Sequence, residues 1–305
     1  MTDLFHGVSH EVSTPDTEAA SVETTISTSE DSSKTEGQFA VFNRRLENEL
    51  LNHRVITEAP YTSWFVNGQV NHQQLQAFLV EFSVFSNQFL MAQLLKMLAA
   101  NSLEEMRASK EILANELGVA FHAEDHVPSG GRLSESEAKS FGDITGSVDG
   151  GRFRFRAAHF ELLLHCAQSV GLNFDQLGKR CFGSETTLFF CDELQRLYGS
   201  EDYQVSAAAS FAVENWAAAG FWQQLVDGFV VLKSRQEYKN LPLTFFSWHN
   251  KLEANHAHHT HQELKEYYFS NDVDEDAFIE TGNCMLDGVY AFWEGLSQQR
   301  LKLVH

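Results

Sequence analysis

Two histidines and a glutamate, His249, Glu253 and His256, share one face of a predicted helix in the C-terminal third of the chain. Because each residue advances about 100° around an α-helix, offsets of four and seven residues fall within roughly 60° of arc. Two imidazoles and one carboxylate form a mixed nitrogen and oxygen ligand set that suits iron, manganese or zinc. This spacing predicts part of a metal site, and other helices would have to supply the remaining ligands of a metal pair.

Four further residues that can bind metal lie in apolar helical segments. Glu81 is the only acid in its predicted helix, Glu214 is the only acid between 203 and 226, Glu116 lies at a helix end, and His159 begins an apolar helix. A single Glu or His in such a place is more often a hydrogen-bonded core residue, because burying it without a partner is costly. The set as a whole has four carboxylates and three histidines. This is close to the ligand set of a carboxylate-bridged metal pair in a helical bundle.

The pattern of apolar residues predicts an all-α fold for most of the chain. Asn71 and Ser102 are predicted N-caps, each followed three residues later by Gln or Glu. The sequence shows no convincing strand pair and no internal repeat. The predicted helical segments are 39–53, 71–99, 103–117, 152–169, 184–198, 204–233, 244–268 and 273–299.

Two segments interrupt the helical pattern. Residues 1–36 contain 14 Ser or Thr and eight acidic residues against one Lys. Such a segment cannot bury enough apolar surface to offset its chain entropy, so we expect a disordered acidic tail. Residues 119–151 are rich in Gly and predict a long irregular insertion of the kind that forms lids or binding loops. The helical domain would then span 37–305.

Composition restricts the class of protein. A net charge of −20 argues against nucleic-acid and anionic-membrane partners. The chain has no apolar run of 18 residues and no basic, apolar leader, so we expect neither a transmembrane helix nor a secretory signal. The cysteines show no C-x-x-C pairing, which indicates free or buried thiols in the reducing cytoplasm. They are Cys166, Cys181, Cys191 and Cys284.

The order of these motifs resembles the haem-oxygenase-like di-iron oxidases, an iron-containing redox enzyme family. The resemblance spans roughly residues 45–265 and implies a haem-oxygenase-like bundle of about seven core helices that binds two non-haem irons. It is carried by N-E-L-G at 115–118, H-x-E-L-L at 159–163, Gly-Leu at 171–172, the mid-helix Glu214, and H-x-x-x-E-x-x-H at 249–256.

The resemblance also implies a role for each candidate ligand. Glu116 and His159 match the family's early Glu and His, and Glu214 matches its middle Glu. The last helix supplies His249, Glu253 and His256, although Glu253 stands where the family normally has Asp. Glu is one methylene longer than Asp, so it can still reach a metal. Glu81 matches an additional carboxylate that only some members have.

One of these assignments has a rival. His126 follows Glu116 by ten residues, closer to the usual family spacing than His159, which follows it by 43. His159 begins an apolar helix that ends in Gly-Leu, as in the family, whereas His126 belongs to the predicted insertion. We therefore favour His159.

The resemblance implies a non-haem di-iron enzyme that uses two Fe²⁺ ions and O2 to oxidise a small organic acid or amine. The reaction could be N-oxygenation, oxidative C–C cleavage or decarboxylation. Two alternatives stay open: a non-catalytic helical interaction protein with a degenerate metal site, and a cofactor-independent enzyme of the thiaminase-like branch of the fold. The expected partners are a small-molecule substrate and O2, and the sequence is compatible with a homodimer.

Overall fold

The computed structural model describes residues 35–122, 152–155 and 157–304, with the backbone alone at 120–122, 152–155 and 252–260. The first helix begins at Glu36, where Thr35 and Gln38 form a capping box, so the helical domain starts one residue earlier than predicted. The rest of the predicted tail lies outside the described residues. So does most of the predicted insertion, including His126.

Helices account for nearly all of the described chain, which confirms the all-α prediction. Three of the helices continue into or end at single π-helical turns, at Leu46–Leu50, Leu194–Tyr198 and Ala217–Phe221. The α-helices are α1 (Glu36–Arg45), α2 (Arg54–Thr57), α3 (Pro60–Phe65), α4 (His72–Leu98), α5 (Leu103–Glu116), α6 (His159–Gln168), α7 (Glu185–Glu193), α8 (Tyr203–Trp216), α9 (Trp222–Leu232), α10 (Thr244–Ser270) and α11 (Glu275–Lys302).

The prediction that the chain contains no strand pair is wrong. Strand β1 (Val119–His122) pairs antiparallel with β2 (Arg152–Phe155), and the two strands flank the predicted insertion. The sequence of β2 alternates Arg and Phe, which is the period of two expected of a strand. The helix predicted over 152–169 wrongly included these four residues. Helix α6 therefore starts only at His159.

Helix α4 is the longest apolar helix of the bundle. As predicted, Asn71 caps it: the Asn71 side chain accepts a hydrogen bond from the backbone N–H of Gln74. The Gln74 side chain in turn accepts one from the backbone N–H of Asn71. By length and composition α4 could cross a membrane, but half of its most apolar window is buried within the bundle. Packing against neighbouring helices therefore accounts for about half of this apolar stretch.

Aromatic rings fill the space around α4. Phe82 is fully buried, and its ring centroid lies 5.7 to 6.2 Å from those of Trp222, Phe245, Phe246 and Phe292. These separations are typical of favourable edge-to-face and tilted aromatic pairs. The high Phe content of the sequence thus serves mainly to pack α4 against α9, α10 and α11.

The segment predicted as one helix over 204–233 is divided in two. Gly220 adopts φ +101° within the π-helical turn between α8 and α9, a conformation that disfavours residues with a Cβ. The break lets the rings of Trp216 and Phe221 stack with centroids 4.4 Å apart and planes 5° from parallel. It also orients the start of α9 toward the interior of the bundle.

Candidate metal centre

Three predicted ligands from three different helices meet inside the bundle. Glu116 lies in the last turn of α5, His159 is the first residue of α6, and His249 lies in the second turn of α10. One nitrogen or oxygen atom from each side chain lies within 4.8 Å of the others. His159 Nδ1 is 2.8 Å from Glu116 Oε2, and His249 Nε2 is 4.0 Å from Glu116 Oε1.

Local sequence explains how Glu116 and His159 reach this position. Helix α5 stops after Glu116, where Leu117 is the C-cap and Gly118 takes φ +72°. Helix α6 begins at His159 after an extended Ala158, and the Glu161 side chain accepts a hydrogen bond from the Ala158 N–H. A helix end and a helix start therefore place the carboxylate and the imidazole next to each other, on either side of the β1–β2 ribbon.

His159 has a polar atom in need of a partner. Its side chain is 5% exposed, and Nδ1 makes no hydrogen bond to any group in the described part of the chain. The 2.8 Å approach of Glu116 Oε2 is close enough for an ion pair, but its direction does not fit a hydrogen bond. This buried nitrogen lies close to a carboxylate without a hydrogen bond to it. That arrangement is expected of two side chains that bind the same cation.

The ring of His249 is fixed by its neighbours. Its Nδ1 lies 2.8 Å from the carbonyl oxygen of Phe245, one helical turn earlier, and a neutral ring must donate its proton there. The ring also stacks on Trp222 with centroids 4.6 Å apart. Nε2 therefore carries the lone pair and faces Glu116, which is the tautomer that a metal ligand needs.

Two residues of the cluster, Glu116 and His249, line a cavity of about 80 Å3. Seven of its 15 lining residues are Phe or Trp. Helices α4, α5, α8, α9 and α10 contribute to it. It is lined by Phe82, Phe85, Ser86, Phe89, Gln93, Ile112, Glu116, Val213, Glu214, Trp216, Ala217, Phe221, Trp222, Phe245 and His249.

The other predicted ligands are placed as follows. Glu214 is half-buried on α8 and lines the same cavity, although it does not belong to the three-residue cluster. Glu253 and His256 lie on α10, the helix of His249, and share the predicted helical face with it. Their side chains are outside the described part of the structure.

Glu81 does not belong to the three-residue cluster, and its possible role as an additional ligand stays a prediction. Glu81 is 4% exposed and points to a different part of the bundle. Its Oε2 accepts hydrogen bonds from the N–H and hydroxyl of Ser184, the N-cap of α7, and its Oε1 accepts one from Gln299 on α11. These donors satisfy the carboxylate, so its burial has a structural cause.

The cluster fits a divalent transition metal. Two imidazoles and one carboxylate are the protein ligands of the 2-His-1-carboxylate sites that bind non-haem Fe(II), which leave coordination positions open. The buried Nδ1 of His159 lacks a hydrogen bond among the described groups. Glu214 supplies a second carboxylate to the cavity lining, which could bind a neighbouring ion. The donor chemistry thus agrees with the metal that the resemblance implies.

Comparison with solved structures defines the class of fold. The chain is similar to a CADD-like protein of unknown function from Nostoc punctiforme PCC 73102, at 16% identity and a TM-score of 0.51 over 88% of this chain and 96% of that one. It is also similar to a domain of unknown function with a haem-oxygenase-like fold from Shewanella denitrificans OS217, at 13% identity and a TM-score of 0.52 over 86% and 91%. No protein-family model and no curated protein sequence matches the chain.

The chain therefore has the haem-oxygenase-like fold, as its motifs predicted. At these identities the likeness describes the fold alone. The ligand cluster and cavity described above are properties of this chain's own residues.

Sequence reasoning missed the polar residues of the cavity wall that are not charged. Gln93 and Ser86 lie on α4 at spacings that put them on one helical face with Phe82 and Phe89. That face could have been identified from the sequence as a stripe of aromatic residues with two polar members. Which partner helices it faces required the tertiary structure.

Proposed function

We propose that this protein is a non-haem di-iron oxidoreductase that uses O2 to oxidise a small organic acid or amine. The observation that carries the proposal is the cluster of Glu116, His159 and His249, two of which also line a cavity rich in aromatic side chains. A metal held there would have open positions beside this cavity, through which a small substrate could approach the ligands. Bound iron would supply the activation of dioxygen.

Each residue of the site has a proposed task. Glu116, His159 and His249 would hold one ion, and Glu214, Glu253 and His256 would supply the ligands for the second. The Phe245 carbonyl keeps Nδ1 of His249 protonated, so that Nε2 is available as a ligand. The rings of Trp222 and Phe245 pack on His249 and exclude water from this side of the site.

A thiol-using enzyme on the same fold has less support. The residues that line the cavity, within the chain as described, include no cysteine. Burial raises the pKa of Cys166 and of Cys191 to about 12, which makes both poor nucleophiles near neutral pH. The four cysteines are free thiols, and we propose that the protein works in the cytoplasm with small molecules as partners.

The proposal is tested by metal analysis after anaerobic loading with Fe²⁺. The wild type should hold two irons per chain and consume O2. Glu116→Gln keeps the size of the side chain but removes the anionic ligand, and should lose at least one iron. Glu81→Gln is the matched control, because it makes the same change at another buried glutamate that lies outside the cluster.

Retention of two irons by Glu116→Gln would contradict the ligand assignment. A wild type with no more than trace iron would contradict the proposed function and favour a non-catalytic scaffold. Loss of iron from both variants would indicate a general loss of structure, which thermal unfolding of each variant would reveal.

A further inference from the structure

The lining of the cavity beside the cluster carries acidic side chains and no basic Lys or Arg among the described residues. The two carboxylates are those of Glu116 and Glu214. Seven Phe and Trp residues, including Trp216 and Trp222, present ring surfaces that attract cations. The proposed function assigns both carboxylates to bound metal, so the ring faces and the uncharged polar atoms are left to select the ligand, and they favour one that brings a positive charge or hydrogen-bond donors.

Gln93 is the lining residue whose hydrogen bonding is incomplete. Its side chain is fully buried, and its Nε2 donates a hydrogen bond of 2.7 Å to Tyr198 Oη. Its Oε1 is buried without a partner among the groups that the structure describes. Burial of a carbonyl oxygen without a hydrogen bond is unfavourable, so the fold retains an acceptor that a ligand could satisfy.

Lys96, the charged residue near Gln93, makes its contacts outside the cavity. Lys96 follows Gln93 by about one helical turn but does not line the cavity. Its Nζ donates a hydrogen bond of 2.7 Å to Ser210 Oγ and lies 4.7 Å from the centroid of the Tyr198 ring. Lys96 therefore contacts Tyr198 and Ser210, whereas the Gln93 amide both bonds Tyr198 and lines the cavity.

We propose that this cavity binds the amino group of a small apolar amine and that Gln93 Oε1 accepts a hydrogen bond from its N–H. This inference rests on the proposed function, since it selects the amine from the two substrate classes named there. A carboxylate would instead bring its oxygen atoms against the oxygen of Gln93, which repels them, and would leave that acceptor unsatisfied. Gln93 is thus a specificity-determining residue.

The second unsatisfied polar atom of the lining adds to this description. Trp222 Nε1 is buried and makes no hydrogen bond within the described structure. It is a single neutral donor, and it lies on the ring that stacks against His249. It favours an oxygen atom on the ligand near the metal ligands, whereas Gln93 fixes the amino group.

The test uses three probes of similar size that fit a small cavity: propylamine, propanol and propionate. Each is titrated into the full-length, metal-free protein at constant pH and ionic strength, and binding is followed by tryptophan fluorescence, because Trp216 and Trp222 line the cavity. We expect propylamine to bind at least about tenfold more tightly than propionate, with propanol between them.

Two variants locate the effect. Gln93→Leu keeps the approximate size of the side chain but removes the acceptor, and should weaken propylamine binding about tenfold while leaving propionate unchanged. Gln88→Leu is the matched control, because Gln88 lies on the same helix, outside the lining, where it accepts a hydrogen bond from Gln195. It should bind propylamine as the wild type does.

The outcomes separate this inference from the proposed function. Tighter binding of propionate, or no binding of propylamine by the wild type, overturns the inference without any variant. An equal loss of propylamine binding in Gln93→Leu and Gln88→Leu overturns the role of Gln93. A protein that binds propylamine but no iron refutes the proposed function alone, and one that loads iron but ignores propylamine refutes this inference alone.

Discussion

Glu116 Oε2 and His159 Nδ1 lie 2.8 Å apart, although 43 positions separate the two residues in sequence. The approach is possible because one residue ends α5 and the other begins α6, with the paired strands β1 and β2 between them. Because the strands are antiparallel, Val119 after α5 lies opposite Phe155 before α6. The intervening segment can therefore be long without separating the two ligands.

We predict that His159→Ala loses iron and that His126→Ala retains it. His159 is buried beside Glu116, and its removal deletes a neutral nitrogen ligand. Iron content after anaerobic loading measures the effect. His165→Ala is the control, because His165 is an exposed residue on the same helix. Metal loss from His126→Ala with retention by His159→Ala would reverse the assignment.

Glu253 is predicted to work as a ligand in the position where the family has Asp. Exchange for Asp restores the usual ligand and should keep two irons and the reaction with O2. Exchange for Ala should remove one iron, because it deletes a carboxylate from the face of α10 that carries His249. An Ala variant that holds two irons and reacts with O2 at the wild-type rate would make Glu253 a structural residue.

Glu81 should matter for stability and not for metal. Glu81→Gln removes the charge that accepts hydrogen bonds from Ser184 and Gln299, and should lower the free energy of unfolding by about 1.5–3 kcal/mol. Urea unfolding measures the change. Glu185→Gln, at an exposed site in the first turn of α7, should cost less than about 1 kcal/mol. Equal effects at both positions would refute the structural role of Glu81.

Helices α3 and α9 touch at a glycine. A Cβ on Gly228 would clash with the backbone oxygen of Phe65 and lie 2.6 Å from its Cδ1. Gly228→Ala should therefore lower the free energy of unfolding by about 1–3 kcal/mol, although Gly to Ala in a helix usually raises it. Gly37→Ala in α1 is the control, because its Cβ would meet only Thr35 Oγ1 at 3.7 Å. A stabilised Gly228→Ala protein would contradict this packing.

The thiols should differ in reactivity and should limit stability at alkaline pH. Cys181 is exposed and should react quickly with a disulfide reagent at pH 8 in the native protein. Cys166 is buried with a pKa of about 12, so only about one molecule in ten thousand carries its thiolate at that pH. Cys181→Ser should remove the fast phase, and a fast phase that persists would contradict the assignment.

The direction of the pH effect follows from the same burial. The folded protein raises the pKa of Cys166 and Cys191 from about 9 to about 12, so the unfolded chain loses these protons first. The contribution of the buried thiols is fully present below pH 9 and is lost as the pH rises toward 12. Urea midpoints measured between pH 8 and 10.5 should therefore fall less for the double variant Cys166→Ala, Cys191→Ala than for the wild type.

The sequence alone determined the helical class and most of the helix positions. Apolar spacing is a local property, and caps such as Asn71 depend on residues three positions apart, so both can be recognised without knowledge of the fold. The ligand types on separate helices were also visible, since Glu116, His159 and His249 stand out as ionisable residues in or beside apolar segments.

Only the tertiary structure decided what those ionisable residues do. Glu81 and Glu116 are both carboxylates on helices. Glu81 accepts a hydrogen bond from the N-cap residue of α7, whereas Glu116 lies beside two imidazoles, because each helix is rotated differently against its neighbours. The unsatisfied oxygen of Gln93 depends on Tyr198, 105 residues away, so no local pattern could have indicated it. Contacts of that kind are fixed by packing between helices, and the order of residues along one helix does not contain them.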